Sequence, residues 1–161
     1  AWYSAITSKT VPTVLALSRQ NLPQLEGSSK EALKGGYIIA DSTKEVPDMI
    51  IIASGSEVSL AVEAKTKLMD EGFDVRVVSM PCMDIFAQQS EAYQEKVLPQ
   101  TVEKRLVVEA GSSICWGRYL GFKGKSITMD TFGASAPAGV LFKKFGFSVE
   151  NVVKTALAML R

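Results

Sequence analysis

At 161 residues the chain has room for one domain, or one domain plus a piece of another, and a chain of this size buries about two-thirds of its unfolded surface. A hydrophobic fraction of 47% and a charged fraction of 22% exclude collagen-like, low-complexity and disordered classes, and no apolar run approaches the ~18–20 residues of a membrane span. The net charge of +1, from 18 basic and 17 acidic side chains, leaves no electrostatic footprint for nucleic acid or an anionic membrane.

The predicted elements alternate along the chain. Residues 1–8 read as a helix tail with Trp2, Ala5 and Ile6 on one side, and a start in mid-helix without methionine reads as a fragment of something longer. Thr13–Ser18 is an apolar run of strand length, followed by a loop through Pro23. Gly27-Ser28-Ser29 and Gly35-Gly36 bracket a polar stretch that reads as a linker. Tyr37–Ala40 is predicted as an edge strand, and the β-branched run Met49–Ala53 as a strand buried on both faces. Ser54 and Glu57 have capping-box spacing before a helix that Gly72 ends. Val75–Met80 completes a strand–helix–strand unit of the kind that makes a parallel crossover. A helix over Glu91–Val97, a strand over Arg105–Glu109, a helical stretch holding Cys115 and Trp116, and a strand over Ser126–Met129 follow. Ser135-Ala136-Pro137 opens a short helix closed by Gly146. Ser148 caps a last helix whose apolar residues Val149, Val152, Val153, Ala156, Leu157 and Leu160 keep helical spacing. Four or five strands alternating with helices predict a three-layer α/β/α sandwich with a mostly parallel sheet.

The chain contains no histidine, so it builds no Ser-His-Asp or Cys-His unit and no His-liganded zinc by itself. Two cysteines, Cys82 and Cys115, make neither a disulfide scaffold nor a metal motif and fit a reduced cytosolic setting. Cys82 reads as an inert thiol, Cys115 beside Trp116 as core packing, and Lys143-Lys144 as a solvated pair at a helix C-terminus. Ser54-Gly55-Ser56 and Gly111-Ser112-Ser113 each follow a strand and open a helix, where backbone amides suit an anion, although tight turns need these residues anyway. Glu109 at a strand end reads as a capping or interfacial group. Arg19 follows an apolar run at its C-terminal end, where open α/β sheets bind ligands. A guanidinium there suits a phosphate or carboxylate, though arginines at strand ends also cap and pair.

Three stretches together resemble the transketolases. Leu17-Ser18-Arg19-Gln20-Asn21-Leu22-Pro23 resembles the end of their middle, pyrimidine-binding domain. Ala53–Val58 with Val77–Pro81, and Thr131-Phe132-Gly133-Ala134-Ser135-Ala136-Pro137 through Phe147, resemble their C-terminal domain. The resemblance covers essentially the whole chain. It implies an α/β C-terminal domain with a mixed five-stranded sheet, divided as 1–24 from the middle domain, 25–35 linker and 36–161 C-terminal domain. It also implies a cytoplasmic homodimeric enzyme that moves a two-carbon ketol unit between sugar phosphates in the pentose phosphate pathway, using thiamine diphosphate and Mg2+ or another divalent metal. Dihydroxyacetone synthase is the nearest alternative within the family. Arg19 matches the family arginine that holds the substrate phosphate. The cofactor-activating and metal-binding residues of the family lie outside these stretches, so no cofactor, metal or catalytic residue is expected in this chain, and the chain alone is expected to be inactive. Cys82 stands where many relatives carry a small hydroxyl residue. The competing expectation is a free-standing α/β module that binds an anion or a partner protein through the turns at 54–56 and 111–113.

Overall fold

The computed structural model describes residues 1–161. Five strands form one sheet: β1 (Tyr37–Ala40), β2 (Met49–Ala53), β3 (Val75–Ser79), β4 (Arg105–Val108) and β5 (Lys125–Ile127). Their order is β1-β3-β2-β4-β5. The pairs β3–β2, β2–β4 and β4–β5 are parallel, and only the edge strand β1 runs antiparallel, against β3. The seven helices are α1 (Trp2–Thr7), α2 (Glu57–Asp70), α3 (Met83–Ala87), α4 (Glu91–Val97), α5 (Gly117–Leu120), α6 (Ala138–Phe145) and α7 (Val149–Leu160). Single 3-10 turns lie at Lys30–Lys34 and Ser113–Cys115.

Strand geometry divides the core in two, because successive side chains point to opposite faces. Met49, Ile51 and Ala53 of β2 join Val75, Val77, Leu106 and Val108 beneath α2 and α7. Ile50 and Ile52 join Val78, Val107, Phe86, Trp116 and Tyr119 beneath α3, α4 and α5. Every residue of β2 and β3 is buried; β2 is apolar throughout, as such burial favours, while the buried Arg76 of β3 pairs with Asp41 and donates to the Lys96 carbonyl. The α7 spacing works as predicted: Val149, Val152 and Ala156 are buried, and the Ser148 hydroxyl accepts from the Asn151 amide at 3.3 Å. This is the mixed five-stranded α/β/α sandwich that the sequence predicts.

Four local expectations are corrected. Thr13–Ser18 belongs to no strand, since no strand of this chain lies beside it, and Val14 is 89% exposed. The Ser54 side chain does not cap α2, because its hydroxyl donates to Glu109 instead. Cys115 is exposed on its 3-10 turn, while the neighbouring Trp116 takes the core position. A helix not foreseen, α3, fills the space between Pro81 and Ser90 and buries Phe86.

Polar groups that the fold buries are tied to backbone. Arg105 donates to the carbonyls of Val102, Leu98, Pro99 and Tyr119 at 2.9–3.2 Å and so closes the end of α4 against α5. Asp74, at the entry to β3, accepts from the Thr43 and Lys44 amides at 2.7 and 2.8 Å and from the Thr43 hydroxyl at 2.6 Å. Its second oxygen makes no hydrogen bond and lies 3.6 Å from the buried Lys65 ammonium.

Candidate functional site

The parallel strands end together at one rim of the sheet. Ala53 of β2 stands in register with Val108 of β4, so the next residues, Ser54 and Glu109, leave the sheet side by side. The Ser54 hydroxyl donates to Glu109 Oε2 at 2.6 Å. One turn further, the Ser56 hydroxyl donates to Glu57 Oε1 at 2.8 Å, and Glu57 is only 4% exposed. Burial pushes the Glu57 carboxyl above the usual carboxylate range. The Ser56 hydroxyl and the amides of Glu57 and Ala110 pull it down, and the neighbouring Glu109 charge pushes it up.

The second glycine–serine turn is closed in a similar way. Asp130 accepts from the Ser112 hydroxyl at 2.9 Å and the Ser113 amide at 2.8 Å, and these bonds hold its carboxyl below the ordinary carboxylate range. Both turns therefore already face a carboxylate. An incoming anion would meet negative charge at each, so neither is the phosphate cradle that the competing module requires.

Arg19 lies on the segment whose preceding residue, Ser18, approaches the first of these turns at Gly55. The segment that bears it has no regular secondary structure between Pro12 and Pro23. Arg19 and Gln20 border a cavity of about 670 Å³ whose other wall is Ala136, Ala138, Leu141 and Phe142, at and beyond the start of α6. The Arg19 side chain is exposed and takes part in none of the chain's seven ion pairs. It is a cation with free donors, available to a ligand or to another part of a larger protein.

The other candidates are placed as follows. Cys82 occupies the N-cap of α3, half-buried, with its amide donating to the Gly35 carbonyl at 2.9 Å and no cap bond from its thiol. Lys143 and Lys144 lie in the last turn of α6. The structure does not bring Arg19, Glu109 and the cysteines into one catalytic cluster. Sequence reasoning missed the Ser54–Glu109 bond, although two residues directly following parallel apolar runs were a signal that could have found it.

No group of three or more His, Cys, Asp or Glu side chains is placed to hold a metal ion, and no helix is long and apolar enough to cross a membrane.

The transketolase-like C-terminal domain model matches residues 35–148. The transketolase of Bacillus subtilis is 49% identical over 99% of the chain and 25% of its own length. The Leishmania mexicana transketolase structure superposes with a TM-score of 0.91 at 46% identity, over 99% of this chain and 23% of that one. The Pichia stipitis transketolase, solved in complex with sedoheptulose 7-phosphate, gives a TM-score of 0.90 at 44% identity with the same coverage. The chain thus spans about a quarter of the length of the relatives it matches. With most of its length under the domain match and nearly all of it aligned to enzymes of one kind, this chain belongs to the transketolase family, through that family's C-terminal domain.

Proposed function

We propose that the chain works as the C-terminal part of a homodimeric, cytoplasmic transketolase that transfers a two-carbon ketol unit between sugar phosphates in the pentose phosphate pathway. The thiamine diphosphate and its Mg2+, or another divalent metal, belong to the parts of that enzyme outside this chain. Residues 1–24 are the end of the middle domain, 25–35 the linker and 36–161 the C-terminal domain. The α/β domain is structural and supports the dimer. Arg19 holds the substrate phosphate.

The observation that carries this reading is the exposed Arg19 guanidinium, without an ionic partner, inside a stretch that aligns with transketolases along 99% of the chain. The sedoheptulose 7-phosphate complex of the Pichia stipitis relative supports a phosphorylated sugar as the ligand class. A permanently charged, forked donor suits the dianionic end of such a sugar. Its binding energy, remote from the reacting carbons, orients the ketose.

Kinetics of Arg19→Ala in the full-length enzyme test the reading. A lost charge-assisted hydrogen bond is worth ~1.5–3 kcal/mol. We expect kcat/KM for a phosphorylated ketose to fall by roughly 10–150-fold, with little change for an unphosphorylated donor. Equal losses for both donors would make Arg19 a structural residue.

A further inference from the structure

The segment bearing Arg19 pairs with no strand of this chain, and it touches the domain that follows at two places. Besides the α6 cavity, it meets the β2–α2 turn through Ser18. Ser18 Oγ lies 3.8 Å from the point where a Cβ on Gly55 would stand, and Glu57 Oε2 lies 3.8 Å from the same point. Gly55 holds φ +54°, a conformation that favours glycine, so the turn offers bare backbone to Ser18. The turn is fixed from below. Ser54 is bonded to Glu109, whose strand lies beside β2 in register, and Ser56 is bonded to the buried Glu57. A buried strand end, a charge-assisted bond and a glycine turn thus stand in line beneath the residue next to Arg19.

We propose that Ser54, Gly55 and Glu109 form a seat for Ser18 and are positioning residues that aim Arg19 at the substrate phosphate. The proposal rests on the reading of Arg19 given above. It makes the C-terminal domain a determinant of phosphate affinity through the placement of Ser18. Loss of the Ser54–Glu109 bond frees the turn, and Ser18 with it, while the reacting end of the sugar is untouched. A misplacement of 1 Å in a positioning group can cost ~100-fold, and a partial loosening here should cost roughly tenfold.

The test is steady-state kinetics of the full-length enzyme with a phosphorylated and an unphosphorylated ketose donor. The variants are Glu109→Ala, Ser54→Ala, Glu109→Gln, Arg19→Ala and the double variant Arg19→Ala with Glu109→Ala. Ser54→Ala removes the same bond should Glu109→Ala fold poorly. We expect Glu109→Ala and Ser54→Ala to raise KM for the phosphorylated donor about tenfold with kcat kept, and to leave the unphosphorylated donor within about twofold. Glu109→Gln, which still accepts from Ser54, restores most of the affinity. In the Arg19→Ala background, Glu109→Ala adds nothing, because the two act through one contact. Equal losses for both donors, or a Glu109→Ala effect that adds in full to that of Arg19→Ala, would overturn the positioning role. If Arg19→Ala discriminates between donors and the Glu109 and Ser54 variants do not, the positioning role alone falls. If Arg19→Ala itself fails to discriminate, the reading of Arg19 falls and this inference with it.

Discussion

Cys82 shows how much one atom can change at a helix end. It sits at the N-cap of α3 with extended backbone, φ −154° and ψ 105°, the geometry from which a hydroxyl oxygen reaches the amides of the first turn. A thiol is a weak acceptor, and no cap bond forms. We expect Cys82→Ser to raise stability by about 0.5–1 kcal/mol, read as an upward shift of the urea midpoint with unchanged slope. An unchanged or lower midpoint would mean that packing of the larger sulfur outweighs the cap. The residue scale is also where sequence reasoning was weakest. The partner of the Ser54 hydroxyl is 55 positions away, and a nearer residue, Glu57, offered the same chemistry at capping-box spacing. Cys115 and Trp116 are neighbours in sequence, yet one is exposed and the other 3% exposed, because a 3-10 turn sends adjacent side chains in different directions.

At the scale of elements the reading was better, for physical reasons. A strand buried on both faces favours an unbroken apolar run, and β2 announces itself by one. Helix α7 packs one face on the sheet and leaves the other wet, which writes its period into twelve residues. Helix α3 has only five residues, too few for any period. Thr13–Ser18 has strand composition, but composition does not supply a neighbouring strand. Asp74 is the carboxylate that gathers most of the loop from β1 to β2. Burial pushes the Asp74 carboxyl up, but the hydrogen bonds from Thr43 and Lys44, with Lys65 nearby, outweigh it and hold the carboxyl down at about 2, below the ordinary value of 3.8. A depressed carboxylate stabilises the fold above its unfolded value and loses that contribution as pH falls through the folded one. Asp74→Ala should therefore cost about 3 kcal/mol near neutrality. The gap to the parent should narrow from pH 3.8 down toward pH 2. Urea unfolding across that range checks it, and a gap independent of pH would assign the loss to packing rather than charge.

For the whole molecule, the two halves of the core enclose a sheet that is complete within this chain, while the residues before Leu25 leave Trp2, Tyr3, Ile6, Val14 and Leu17 exposed. Such residues need something larger to cover them. We expect the purified chain to show no ketol transfer when supplied with thiamine diphosphate and magnesium, since it spans only about a quarter of the length of the enzymes it matches. Product above a heat-treated control would refute this. A last consequence lies at the two margins of the sheet. A Cβ on Gly27 would collide with the Ile39 carbonyl, so the backbone there lies directly on β1, whose register is irregular between Ile38 and Ala40. At the opposite margin β5 has only three residues, and Lys125 there is exposed. Neither margin offers a long, flat ladder for another strand. Both margins of the sheet therefore disfavour sideways growth, and with it fibrous self-association by strand addition.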